Sequence, residues 1–164
     1  MTEGETVIRW RDTAAAMAAL PQLEGIEYLR RMQRGELPGA PIASHVAMDL
    51  TVVDEGTVTF VATPDESHYN PIGAVHGGFV CTLLDSALGC AAHTLLPAGT
   101  GYTSIEIKVN YLRPVSKQSG PLTCVGRVTK PGRRVSFAEG EVTDAAGRVV
   151  ATASGSLLIF PISG

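Results

Sequence analysis

The stretch from Gly77 to Leu96 constrains this chain more than any other. It reads as one long helix that is apolar almost all the way round, broken by a narrow polar stripe. Thr82, Asp85, Ser86, Gly89 and His93 sit at offsets that align on a single helical face. A helix with only about a quarter of its surface polar must be covered on its other sides. Four segments with strand character follow it: Tyr102–Leu112, Pro121–Lys130, Arg133–Asp144 and Arg148–Phe160. Pro131-Gly132 and Ala146-Gly147 mark the last two turns between them. Before the helix, Val46, Met48, Leu50 and Val52 alternate up to Asp54-Glu55-Gly56. A second short strand, Thr57 to Thr63, completes a hairpin. Strands joined by such short turns pair antiparallel. The order β-β-α-β-β-β-β therefore predicts an α+β fold, one antiparallel β-sheet covering one long central helix. A transmembrane reading of the helix is disfavoured, because its polar stripe lies mid-segment and strands follow directly.

Residues 1–42 have a different character. Thr13 to Leu20 is alanine-rich and stops at Pro21. Leu23, Ile26, Tyr28, Leu29 and Met32 then recur at helical spacing up to Gly35. Leu37 to Pro41 carries two prolines and a glycine and reads as a linker. The expected organisation is an N-terminal helical extension over 1–42, acting as lid or brace, and a main domain over 43–164.

A length of 164 residues suits this plan, and 45% apolar with 18% charged residues is ordinary globular composition. The net charge of −3 argues against a general nucleic-acid binder. Cys81, Cys90 and Cys124 form no close pair, which fits a reducing compartment rather than a disulfide framework. No Cys/His cluster has zinc-ligand spacing, so no metal is expected. Acids at Glu3 and Glu5, without an apolar leader core, predict a cytoplasmic protein. Between Arg113 and Arg134 lie Arg113, Lys117, Arg127, Lys130, Arg133 and Arg134 and no acid. That segment reads either as a landing site for a phosphorylated ligand or as a solvated strand-and-turn surface.

Chemistry concentrates in Asn70-Pro-Ile-Gly-Ala-Val-His-Gly-Gly-Phe-Val-Cys-Thr-Leu-Leu-Asp85. Backbone amides at a helix start can hold a developing oxyanion. A carboxylate two turns further in can act as base or nucleophile. Glycines at 77 and 78 cost about 1 kcal/mol each relative to Ala, which close backbone approach to a ligand or a packing partner would justify. Asn70, before Pro71, reads first as a turn former. His76 is a candidate for holding the loop through its ring. Ser104 on its own reads as a strand serine. Cys81 lies where a thiolate would be favoured, yet a small core residue is the simpler reading. His45, His68 and His93 have no spacing that recommends them.

The run Asn70-x5-His76-Gly77-Gly78-x6-Asp85, followed by Ile105-Glu-Ile-Lys-Val-Asn-Tyr-Leu-Arg-Pro114, resembles the hotdog-fold acyl-CoA thioesterases. It is most similar to the branch of the phenylacetate-degradation (PaaI-like) and 4-hydroxybenzoyl-CoA thioesterases. Gly132-Arg-Arg-Val-Ser-Phe-Ala-Glu and Gly147-Arg-Val-Val-Ala-Thr-Ala-Ser-Gly fit the last two strands of that family, and the resemblance covers roughly 43–160. It implies a sheet wrapped around the helix, a homodimer with a continuous sheet or a dimer of dimers, and active sites built from both subunits. It implies hydrolysis of an acyl-CoA to free acid and CoA, with the CoA thioester as substrate and no cofactor. By position, Gly77 would donate its N–H to the thioester carbonyl and Asp85 of the opposite subunit would be general base or nucleophile. Asn70 would contact the thioester or the attacking water, His76 would steady the loop, and Ser104 would help place water. A related branch carries Glu at the position of Asp85 and Thr one turn later, where this chain has Gly89. Arg133 and Arg134, with Lys130 and Arg113, are the candidates for the CoA phosphates. The alternative is a non-catalytic acyl-CoA-binding module on the same fold, for which a helix carboxylate is superfluous.

Overall fold

The computed structural model describes residues 4–162. Glu3, one of the two acids behind the localisation reading, lies outside the described residues. Three short helices come first: α1 (Ala14–Ala19), α2 (Gly25–Gln33) and α3 (Pro41–His45). They are followed by β1 (Met48–Asp54), β2 (Thr57–Ala62), α4 (Gly77–His93), β3 (Thr100–Tyr111), β4 (Leu122–Lys130), β5 (Val135–Thr143) and β6 (Val149–Pro161). The strands form a single antiparallel sheet in the order β1-β2-β4-β5-β6-β3. This is the α+β arrangement that the helix and strand pattern predicts.

Burial explains the architecture. Leu83, Leu84 and Ala87 of α4 have no exposed surface and Leu88 keeps 2%, because the concave face of the sheet covers them. Two glycines on neighbouring strands let the helix come this close. A Cβ on Gly126 would lie 2.4 Å from the Ala87 carbonyl oxygen, and one on Gly140 would lie 2.6 Å from Leu88 Cδ1. Val58, Leu122, Cys124 and Val142 close the core from the strands, each fully buried.

Local chemistry shifted several boundaries. The sequence places strand character from Val46, but Pro41 opens a helical turn, which Pro at the first helical position favours. β1 then starts at Met48. The alternation of Leu50 and Val52 breaks at a bulge, so Val53 is buried and Val52 is 40% exposed. The Glu55-Gly56 hairpin forms with Gly56 at φ 70°. The long helix ends at His93 rather than Leu96. Thr94 terminates it by donating its hydroxyl to the Ala91 carbonyl (2.6 Å) and accepting the Gly56 N–H (2.7 Å).

The N-terminal helices dock on the outer edge of this unit. Tyr28, Leu29 and Val53 form a small apolar cluster of their own with Ala16. The Gly25 N–H donates to the Leu96 carbonyl at 2.9 Å, tying the start of α2 to the end of α4. No helix among the described residues is long and apolar enough to cross a membrane.

Candidate functional site

Asn70 is a loop builder. Its Oδ1 accepts from the N–H groups of Ile72 (3.1 Å) and Ala74 (3.2 Å), an Asx-type turn. Its own N–H donates to the Ala74 carbonyl at 2.8 Å, and the His76 N–H donates to the His68 carbonyl at 2.8 Å. The loop is thus closed on itself just before α4 begins. His76 is the N-cap of α4, with its Nδ1 accepting the Gly78 N–H at 2.8 Å. Its proton therefore resides on the other ring nitrogen.

The two glycines have separate reasons. A Cβ on Gly78 would sit 2.9 Å from His76 Nδ1 and break the cap. A Cβ on Gly77 would sit 3.1 Å from the ring of Tyr111, whose hydroxyl donates to the Gly77 carbonyl at 2.9 Å. The sequence suggests two amides at this helix start for an oxyanion. The structure leaves one: Gly78 spends its N–H on His76 and Phe79 spends its own on the His76 carbonyl, whereas Gly77 has no acceptor among the described residues. Tyr111 lies inside the motif that carries the family resemblance, but sequence reasoning gave it no role; only the tertiary contact reveals it.

Two turns further along α4, Asp85 is exposed and accepts a hydrogen bond from Ser104 Oγ at 2.6 Å. The strand serine and the helix carboxylate are thus brought together. They lie beside Ser86 and Tyr102 on the wall of a cavity of about 1150 Å³ that extends under the N-terminal helices. Gly89, where a related branch has Thr, is covered by the Tyr102 ring: a Cβ there would lie 2.4 Å from Tyr102 Cε2. Tyr102 thereby excludes a side chain at 89. His93, at the end of the same stripe, is 5% exposed between the rings of Tyr28 and Tyr102. Burial pushes it down to about 4.

The site residues fall into two groups within one chain. Asn70, Gly77, Tyr111 and Arg113 line a hollow of about 310 Å³, separate from the cavity of Asp85 and Ser104. Eight helical residues, about 12 Å of rise, separate Gly77 from Asp85. The basic segment is split in the same way. The Arg113 guanidinium donates to the Val149 carbonyl at one end of β6, whereas the Arg134 carbonyl accepts from Ile159 near the other end. Those ends are about 30 Å apart at strand rise. Lys117 is paired with Glu66. Arg133, Arg134 and Lys130 are exposed, and none has an acidic partner among the described residues.

All three cysteine thiols are pushed up. Burial, and then the charge of Asp85, push the half-buried Cys81 up, against the effect of the helix start. Burial pushes Cys90 to about 11 and Cys124 to about 12. Among the described residues, no three His, Cys, Asp or Glu side chains converge as a metal site would require.

Residues 72–151 match the family model of the thioesterase superfamily. A Saccharolobus solfataricus protein that carries a provisional esterase name is 39% identical over 88 residues, 54% of this chain and 61% of its own length. Acyl-coenzyme A thioesterase 13 of Homo sapiens is 28% identical over 88 residues, 53% of this chain and 61% of that one. The chain thus spans about three-fifths of the length of these curated relatives. Among solved structures, a phenylacetic acid degradation-related protein from Ralstonia eutropha JMP134 that carries a provisional thioesterase name superposes with a TM-score of 0.73. It is 28% identical and covers 80% of this chain and 98% of its own.

Proposed function

We propose that this chain, whose residues 72–151 match the family model of the thioesterase superfamily, hydrolyses an acyl-CoA thioester to the free acid and CoA. The observation that carries the reading is the Asp85–Ser104 pair at 2.6 Å on the wall of a large cavity. In this reading Asp85 takes a proton from water as that water adds to the thioester carbonyl, or attacks the carbonyl itself. Ser104 fixes the carboxylate and offers its hydroxyl to the water. Charge builds on the carbonyl oxygen and is met by the free Gly77 N–H at the positive end of α4. The C–S bond then breaks and the thiolate leaves as CoA, taking up the proton that Asp85 removed from water; where Asp85 itself attacked, water then hydrolyses the acyl–Asp85 anhydride to release the acid and restore the carboxylate. His76 and Tyr111 hold the amide from either side, and Asn70 holds the loop that presents it.

The same geometry supports a two-chain site. Gly77 and Asp85 of one chain lie too far apart to act on one carbonyl. β3 is an edge strand, with Thr103 to Glu106 exposed and Ile105 54% exposed. Such an edge is an aggregation liability unless another strand covers it. Antiparallel pairing of β3 with its own copy would set the Ser104 end of one chain beside the Tyr111 end of the other. That pairing would bring one Asp85 to the other Gly77 and complete two identical sites. Lys130, Arg133 and Arg134 would then receive the CoA phosphates of one site, with Arg113 joining from the other chain.

The test is thiol release from aliphatic and aromatic acyl-CoAs, with wild type compared with Asp85→Ala and Ser104→Ala. Loss of the base is expected to lower kcat by 10²–10⁴ or so, and loss of the serine by less. Equal, near-zero rates for all three proteins across the panel would sink the hydrolase reading.

A further inference from the structure

We infer that the N-terminal helices roof a preformed acyl pocket and that this pocket selects a long, flexible alkyl chain. The inference rests on the hydrolase reading above for the identity of the thioester, and on the cavity for the acyl group. The cavity that begins at Asp85 and Ser104 runs beneath the extension. Leu29 and Met32 of α2 and Leu37 form one wall, and Met48, Leu50 and Phe60 of β1 and β2 form the other. Its volume of about 1150 Å³ exceeds the ~300–1000 Å³ usual for small-molecule sites. An acetyl or propionyl group would leave most of it to water.

Away from the Asp85 end, its polar lining groups are spent or at the surface. The Gln33 amide donates to the Thr51 carbonyl at 2.6 Å, and the Arg11 guanidinium donates to the Gly35 carbonyl at 3.0 Å. Arg9 and Asp49 are exposed. The polar groups left to a ligand, Ser86 and Tyr102, sit beside Asp85 where the thioester lies, and the stretch between Leu29, Met32, Leu37, Met48, Leu50 and Phe60 offers none to a hydroxyl on an aromatic ring. Leu and Met walls adapt to a bending chain better than they grip a rigid plane.

The roof is built in. Gly25 lets α2 approach His93 closely, and Tyr28 and Leu29 are buried beneath it. The segment before α1 is held by Arg11 and by the stacking of Trp10 on His45, ring centroids 6.0 Å apart. Trp10 lines the cavity and is the chain's one tryptophan, so its fluorescence reports the pocket without any turnover.

Two measurements test the inference. The first is kcat/KM for a saturated acyl-CoA series from acetyl to palmitoyl, with benzoyl-CoA alongside, for wild type, Ala43→Phe and Met32→Phe. Each methylene that finds apolar wall is expected to raise kcat/KM up to about fourfold. Wild type should therefore favour decanoyl over butyryl, and over benzoyl, by at least about tenfold. Ala43, half-buried on the cavity wall, tolerates a larger side chain only by filling the space. Both variants should lower the decanoyl-to-butyryl ratio about tenfold or more. A flat series, a benzoyl preference, or a ratio that neither variant moves beyond about twofold overturns the pocket while leaving hydrolysis intact. The second is Trp10 fluorescence titrated with a non-hydrolysable decanoyl thioether of CoA and with CoA alone. A saturable change with the thioether, weakened in Ala43→Phe and absent with CoA alone, supports the pocket even if no thioester is turned over. Identical responses to both ligands overturn it.

Discussion

Gly25→Ala tests whether the extension and the central helix are one packed unit. A Cβ at this position would sit 1.8 Å from the His93 carbonyl oxygen and 2.6 Å from His93 Cδ2. Ordinary contact begins near 3.4 Å, so the start of α2 must retreat by about 1.6 Å. His93 cannot yield, because its carbonyl accepts the Leu96 N–H and its ring is held between two tyrosines. The displacement strains the Gly25 N–H bond to the Leu96 carbonyl, worth about 1 kcal/mol. Overpacking adds roughly 1–3 kcal/mol. Alanine's better helix propensity returns at most about 1 kcal/mol. The net expectation is a destabilisation of about 1–3 kcal/mol. Urea unfolding at neutral pH reads this as a lowered midpoint. Gly39→Ala is the control, since nothing lies within 4 Å of its added Cβ, and it should change stability by less than about 0.5 kcal/mol. If Gly25→Ala matched the control, the extension would not be seated on α4 as described. The retreat would also loosen the pocket roof, so the chain-length preference should weaken in parallel.

Other outcomes follow from the same contacts. Burial holds His93 neutral, pushed down to about 4. Its unfolded form takes up a proton near pH 6.5, so the unfolded state binds more protons between these values. The stability from this group is complete above about pH 6.5 and is lost as pH falls towards 4. Between pH 7 and 5, wild type should lose about 2 kcal/mol more than His93→Asn in chemical unfolding, and equal losses would refute the assignment. Tyr111→Phe keeps the ring against Gly77 and loses the bond to its carbonyl; kcat should fall about fivefold with KM unchanged, and an unaltered kcat would show that the hydroxyl does not position the amide. Reversing charge at both Arg133 and Arg134 should raise KM for acyl-CoA with little effect on kcat, and an unchanged KM would remove them from the phosphate site.

Much of the fold is legible because burial imposes a period. An apolar helix must be wrapped, and the strands after it announce themselves by alternation and by Pro-Gly and Ala-Gly turns. Their observed bounds lie within two residues of the expected ones. Asn70 as a turn former and His76 as a loop holder were also readable, since an Asx turn and an N-cap are local events.

The site itself was not local. Ser104 is the clearest case. The apolar alternation of Ile105, Ile107, Val109 and Tyr111 would turn Ser104 away from the helix, on the side of Glu106. Instead, the register of β3 against β6 shifts between Ser104 and Glu106. Ile105 takes up the bulge and stays exposed, while Ser104 faces inward opposite the buried Leu157 and meets Asp85. A bulge costs one residue of register and is decided by how two strands mate, so no periodicity within β3 encodes it. The same holds for Tyr111 beneath Gly77 and for Tyr102 in the place of a side chain at 89. The sequence by itself determined that one apolar helix would be wrapped by an antiparallel sheet, because burying that surface leaves few other solutions. Only the tertiary structure decided which polar groups meet, because those distances depend on strand register and on the close approach that single glycines permit.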